Sequence, residues 1–524
     1  MKKNNNFIEN NRLTIQNELD AQKSQTERNK LGQFATPTNL AREIIDFGID
    51  LLPSKTKIWF LDPAIGTGSF YSALLSTICQ ERIVKAEGYE IDSHYGKPSQ
   101  KLWKETNLKI HIKDFTKETP PDEKERYNFL ICNPPYVRHH HLEVNEKLRL
   151  QNYAENASGI KVNGLAGLYC YFILLSHLWL SEGGIAIWLI PSEFMDVNYG
   201  KMIKHYLLNK ITLLGIHRFS PQDVQFDDAL VSSTVLWLKK EVPKPKHKVM
   251  FSYGGTLKEP NIAKNIDTDE LRSESKWTRF PVHDKRIKSK ELKISDLFYI
   301  KRGVATGDNN FFILSLDKIN ELNLAQSNFQ PILPSPRHLN VNEVLSDNKG
   351  TPLLEKKLFL LNCNLSEAQI KESYPSLFEY LQSGKQNVAD KYLCKHRSPW
   401  YKQELREPPP FVCTYLGRSD TNDKNPFRFI LNHSKAIATN VYLLIYPKPF
   451  LEKILKSNKE IRTKIWIYLN SLTPQSLLDE GRVYGGGLYK LEPKELSNVK
   501  IDSLLDIIPE LKNIHLTTQM ELFE

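Results

Sequence analysis

The stretch "YNFLICNPPYVRHHH", Tyr127 to His141, sets an amide, two prolines and an aromatic ring directly behind an apolar run. Prolines cannot extend a ladder of backbone hydrogen bonds, so the chain must leave its strand at Asn133 in a stiff, extended turn. Such a turn can hold two acceptors still: the Asn133 side-chain oxygen and a main-chain carbonyl such as that of Pro134. An exocyclic amino group on an aromatic base is a weak nucleophile, because its lone pair is delocalised into the ring. Accepting from both of its N–H groups draws the nitrogen towards tetrahedral geometry and aims the lone pair at an electrophile. Tyr136 is of the type that stacks on the base and holds its plane. No general base is needed before attack, since the nitrogen turns acidic once it bonds carbon. Standing alone, "PPY" would describe no more than a proline-rich strand exit.

Three further motifs stand at neighbouring strand ends. In "FLDPAIGTGSF" (60–70) a strand delivers Asp62, and Gly66 and Gly68 allow a tight turn and a close approach of backbone to ligand. The pattern lacks a full G-x-G-x-x-G, and without a following Lys it is no P-loop. "AEGYEID" puts Glu90 where an acid can take both hydroxyls of a ribose, and "IHIKDF" sets Asp114 beside Phe115, an acceptor next to a flat apolar ring, as an adenine needs. Each is commonplace alone, as a glycine turn or a solvated acid. Their succession along one sheet is what carries meaning.

The elements that must position them are near-continuous apolar runs: "KIWFLD" (57–62), "IVKAEGYE" (83–90), "LKIHIKD" (108–114), "YNFLICN" (127–133) and "GIAIWLI" (184–190). Strands apolar on both faces predict a mostly parallel sheet with helices on each side, an α/β fold with ligands beyond the carboxyl ends of its strands. "ITLLGIH" (211–217) and "LVSSTVLWLK" (230–239) are expected to finish the sheet as an antiparallel edge pair. The basic, proline-bearing "KKEVPKPKHK" reads as a surface connector. A second domain of mixed α and β structure is expected beyond about Lys290.

Composition narrows the partners. The 524 residues carry a formal charge of +10 with pI near 9.0, which favours a polyanion. Six cysteines lie scattered without a C-x-x-C pair, so neither a zinc site nor a disulfide framework is indicated, and a reducing cytosol is the simple reading. No apolar segment follows the N-terminal lysines, and the apolar region 167–191 is broken by Ser176, His177 and "SEGG", which excludes a secretory signal and a membrane span. Consecutive histidines at 139–141 point in different directions with no Cys or Asp to complete a shell, so no metal is expected.

"GQFATP" (32–37), "DPAIGTGSF", "GYEID", "KDF" and "NPPY", in that order, resemble the gamma class of adenine-N6 DNA methyltransferases, the TaqI-type modification enzymes of type II restriction-modification systems. The resemblance implies a class I methyltransferase fold, a Rossmann-like seven-stranded sheet, with S-adenosyl-L-methionine as cofactor. It implies cofactor contacts from Thr36, Asp62, Ala64, Gly66, Gly68, Glu90, Ile91, Asp114 and Phe115: Thr36 and the glycine turn to the methionine part, Glu90 to the ribose, Asp114 and Phe115 to the adenine. Asn133, Pro134, Pro135 and Tyr136 are then catalytic, with Phe226, or in reserve Phe219, as a second aromatic against the target base.

In the second half, "ISDLFYIKRGVATGDNNFFIL", "KHRSPWYKQ" and "RVYGGGLYKLEPKEL" are similar to the target-recognition domain of the same group. The domain boundaries that follow are an arm at 1–30, the catalytic domain at 31–250, a connector at 251–290 and target recognition at 291–524. Lys395, Arg397, Trp400, Tyr401, Lys402, Arg418 and Arg482 are the expected DNA contacts. The expected partner is double-stranded DNA, whose target adenine is flipped out of the stack. The protein is expected to be a cytoplasmic monomer without membrane contact, and a cognate restriction endonuclease a separate chain in no stable complex with it. Two rivals remain: the same amide chemistry on RNA or on a protein glutamine, and a DNA-binding specificity subunit with a decayed pocket.

Overall fold

The computed structural model describes residues 2–220, 223, 225, 232–281, 292–418, 425–484, 488–508 and 511. The chain divides into two compact units: the first holds the described residues up to Pro281 together with Tyr484, the second the other described residues from Leu292 onward.

The first unit is built on a nine-stranded sheet: β1 Ile58–Asp62, β2 Ile83–Glu90, β3 Leu108–Ile112, β4 Tyr127–Cys132, β5 Leu180–Pro191, β6 Thr212–Arg218, β7 Ser233–Lys239, β8 Lys248–Gly255 and β9 Pro260–Asp267. Their order is β3-β2-β1-β4-β5-β7-β6-β8-β9, parallel throughout except for β7 and β9. Alternate residues feed opposite cores. Phe60, Phe129 and Ile131 meet one helical layer, which includes α3 Thr38–Asp50 and α4 Ser69–Thr77. Leu61, Leu130 and Cys132 meet the other, which includes α6 Val144–Ser158 and α7 Leu168–Leu175. Both faces being covered is why the runs read as apolar without alternation. The chain runs outward from β1 to β3 and then returns to place β4 beside β1, so the order reverses between β1 and β4. Crevices at such reversals are where ligands bind in this class of sheet.

Two expectations are corrected here. The sheet has nine strands rather than seven, because residues 248–267, assigned in large part to a connector, form the β8–β9 hairpin. Val249 and Phe251 alternate inward and are buried, and β8 pairs in parallel with β6, so "finishing" strands β6 and β7 lie inside the sheet. The segment 1–30, expected as an arm, forms two helices, α1 Lys2–Ala21 and α2 Gln25–Leu31, the first of which packs on α4 and on α5 Ser93–Leu102.

The second unit is mixed α and β, as expected. Its main sheet orders Phe298–Arg302, Tyr442–Pro447, Phe411–Thr414, Phe429–Asn432 and Glu343–Val344, antiparallel except for the last pair. Ile461, Ile465 and Leu469 of the helix Lys459–Ser471 bury one face of it. Among the described residues of the chain, no helix is long and apolar enough to cross a membrane.

Candidate active site

Asn133 follows the last residue of β4, next to the reversal. Its amide nitrogen donates to the Phe34 carbonyl (3.0 Å) and to the Thr36 hydroxyl (3.1 Å). A carbonyl can only accept, so the nitrogen, and not the oxygen, must face Phe34; the amide cannot be turned over. Both of its protons are thereby used. The opposite atom, Asn133 Oδ1, is buried and has no hydrogen-bond partner. A buried carbonyl left unpaired costs about 1–3 kcal/mol, a cost that an external donor at Oδ1 would relieve.

The segment that orients Asn133 lies directly against the proline turn. Gly32 has φ +65°, and a Cβ on it would stand 2.3 Å from the Tyr136 nitrogen, so only glycine lets the two chains touch. The Gly32 carbonyl accepts from that nitrogen at 3.3 Å. Tyr136 donates its hydroxyl to the Leu189 carbonyl of β5 (3.0 Å), and its ring meets Phe34 at 5.7 Å between centroids. The plane of the half-buried ring is thus tied at both ends. Thr36, expected on the cofactor, has its hydroxyl on the Asn133 amide, a contact across 97 residues of chain.

Beside this turn, the glycine loop after β1 is held by acids. Asp62 Oδ1 accepts from the Ala64 N–H (3.1 Å), and Glu90 accepts from the N–H groups of Gly66 (3.1 Å) and Asp92 (2.8 Å). Burial pushes the Asp62 carboxyl up to about 8, with the Glu90 charge adding to it against the Ala64 N–H and the Cys132 thiol. Burial likewise pushes Glu90 up to about 7, against the Asp92 and Gly66 N–H groups. A ligand ammonium beside Asp62, or hydroxyl donors on Glu90, would favour their ionised forms. Gly68 is at φ +87°, and a Cβ there would lie 2.6 Å from the indole nitrogen of Trp103, which donates to the Thr67 carbonyl (3.0 Å). Asp114 accepts from the Thr116 N–H and hydroxyl (3.0 and 2.7 Å). Ile91 is 67% exposed next to Glu90. Phe115, expected to offer a ring face, is only 3% exposed and is enclosed by Tyr89, Phe172 and Trp179.

Sequence reasoning missed the cover over this loop. Arg12 of α1, 1% exposed, donates to Thr67 Oγ1 (3.0 Å) and is paired with Glu9, which accepts also from Thr38 and Ser72. Thr67 in turn donates to Gln16 (2.6 Å). Burial raises the Glu9 carboxyl, but Arg12, Ser72 and Thr38 outweigh it and hold the group below its ordinary value. Further along, Lys23 and Gln33 both bind Asp92, two residues from Glu90. Phe226 lies outside the described residues. Its reserve Phe219 is buried in the core against His217.

In the second unit the expected DNA contacts sort by burial. Tyr401 is fully buried and donates to the Leu365 carbonyl (2.6 Å), which removes it from any surface. Arg397 is spent on the Ala305 and Thr306 carbonyls (2.6 and 2.8 Å), Trp400 packs with Phe311 and Phe312, and Arg482 is paired with Glu495 (2.7 Å). Aromatic and basic interleaving here serves the fold. Lys395, Lys402 and Arg418 do carry exposed side chains.

Residues 45–225 match the family described as Eco57I restriction-modification methylase, and residues 275–521 match the C-terminal domain of the type II methyltransferase M.Eco57I. The chain is 28% identical to the type II methyltransferase M.AccI of Acinetobacter calcoaceticus over 92% of its own length and 87% of the relative's. It is 25% identical to M.XamI of Xanthomonas campestris pv. amaranthicola over 93% and 86%. Among solved structures, the type IIL restriction-modification enzyme MmeI in complex with DNA shares the fold at a TM-score of 0.53 and 13% identity; the match covers 89% of this chain and 63% of that one. The nine-stranded sheet with its motif-bearing strand ends, and the C-terminal unit that follows it in the chain, therefore belong to a member of the type II restriction-modification methyltransferases.

Proposed function

We propose that this methyltransferase modifies the N6 amino group of a flipped-out adenine in duplex DNA, using S-adenosyl-L-methionine, and so protects host DNA against a cognate endonuclease. The observation that carries the reading is the fixed amide of Asn133, with both protons committed and Oδ1 buried and unpaired.

The residues present fit the cofactor. The glycine loop between Asp62 and Gly68 takes the methionine part, Glu90 the ribose hydroxyls and Asp114 the adenine amino group. Bound there, the sulfonium supplies an electrophilic methyl group. The protein's part is electrostatic and positional. Asn133 Oδ1 and the Pro134 carbonyl accept the two N–H groups of the target and turn its lone pair outward, and the Tyr136 ring, anchored on Leu189, holds the base plane. The target must leave the stack, because its amino group is otherwise engaged in pairing. The first unit serves as the catalytic domain and the second as the target-recognition domain, with Lys395, Lys402 and Arg418 on phosphates.

DNA from cells expressing the chain, sequenced by a modification-sensitive method, is expected to carry N6-methyladenine at one sequence motif. Asn133→Ala should abolish the mark by lowering turnover about 100- to 1,000-fold, as loss of a preorganised acceptor or donor does elsewhere, with cofactor binding kept. Labelled methyl appearing only in RNA or in protein, or an Asn133→Ala variant as fast as the parent, would refute the reading.

A further inference from the structure

A second chain of directed hydrogen bonds ends on the cofactor side of the site, and nothing in the reaction chemistry above uses it. Arg149, in the second turn of α6, donates from Nη1 to the Thr116 carbonyl (2.7 Å) and from Nη2 to the Thr116 hydroxyl (2.8 Å). Its Nε and Nη2 are held from behind by both carboxylate oxygens of Glu146. A guanidinium has no acceptor, so the Thr116 hydroxyl must receive from Arg149 and can send its single proton only onward, to Asp114 Oδ1 at 2.7 Å. The Thr116 N–H reaches the same oxygen at 3.0 Å. Asp114 Oδ1 is thereby filled twice. Oδ2 is left to the outside, with the largely exposed Lys117 ammonium 3.5 Å away.

We infer that Arg149 is a positioning residue for the nucleoside end of the cofactor: through Thr116 it fixes the plane of the Asp114 carboxylate, so that Oδ2 points at the amino group of a bound adenine. Resting on the cofactor reading above, the inference adds a residue 35 positions from the motif it serves, on a helix that carries none of the cofactor motifs. Geometry favours this over a merely structural ion pair. Glu146 and Arg149 are neighbours on one face of α6 and would pair in any case, but that pair alone has no need of Thr116. The two bonds to Thr116 are what tie the helix to the loop 114–117. Arginine suits the task because its rigid fork spans carbonyl and hydroxyl at once, which a lysine cannot do.

The ligand's own amino group offers the test. Binding of S-adenosylhomocysteine and of its deaminated counterpart, S-inosylhomocysteine, is measured calorimetrically on the full chain and on Arg149→Met, Arg149→Lys and Thr116→Val. The parent should prefer the adenosyl ligand. Arg149→Met should weaken that ligand about tenfold, in line with a charge-assisted network worth about 1.5 kcal/mol, while leaving the inosyl ligand nearly unchanged, so that the preference disappears. Thr116→Val should do the same, the double variant should add little, and Arg149→Lys should fall between. Equal weakening of both ligands, or no effect on either, overturns the inference with the cofactor reading intact. A parent that binds neither ligand overturns both.

Discussion

At the scale of single residues, the site is defined by groups held in unfavourable states until a ligand arrives. Asn133 Oδ1 lacks a donor, and Glu90 is a carboxyl pushed up to about 7 in a place where hydroxyls would want it ionised. With the cofactor bound as proposed, the second of these would make its affinity depend on pH. Donors on the ribose favour the carboxylate, so binding must expel the proton below pH 7 and need not above it; affinity rises with pH. For one group at about 7 the ionised fraction grows about tenfold between pH 6 and 8. Calorimetric titration with S-adenosylhomocysteine should show that rise, and Glu90→Gln, weaker throughout, should flatten it. On the proposed reading, the orphaned amide oxygen would also select among bases. A keto base in its place would set lone pairs against lone pairs, so guanine and thymine would be rejected at the reacting atom itself.

At the scale of elements, the cover formed by α1 is the feature most exposed to test. Arg12 and Glu9 are a buried pair, and removing one partner strands the other. Arg12→Met should lower unfolding stability by about 3–5 kcal/mol, and Glu9→Gln in the same chain should restore part of it, both read from urea midpoints. The sheet was legible from sequence because strands buried on both faces leave long apolar runs. This cover was not. Its inward positions, Glu9, Arg12 and Gln16, recur at helical spacing, but they are polar, and hydropathy reads such a face as solvated. The β8–β9 hairpin is hidden for a different reason: the stretch before it is basic and proline-bearing, as a linker is, and the alternation of Val249 and Phe251 behind that stretch is too short to stand out as a strand. The link from Thr36 to Asn133 joins residues far apart in the chain, a contact no local pattern encodes.

At the scale of the whole molecule, the motifs of the first unit identified the family, while most of the residues singled out in the second unit are engaged within the fold. Tyr401, Arg397, Trp400 and Arg482 have the composition of a DNA-binding face and are engaged within the fold. Exposed Lys395, Lys402 and Arg418 remain. Replacing each with Ala should weaken binding to all duplex sequences alike and reduce the salt dependence of the logarithm of the affinity by about one ion apiece, as fluorescence anisotropy across a salt series would show. One consequence of the polar cover concerns synthesis. Helix α1 leaves the ribosome before the loop it will clasp has been made, and a waiting helix with a greasy inner face would invite wrong partners. Because Glu9, Arg12 and Gln16 are polar groups on that face, the nascent chain would idle in water without sticking and close over the glycine loop once Thr67 and Ser72 arrive to complete the polar lattice.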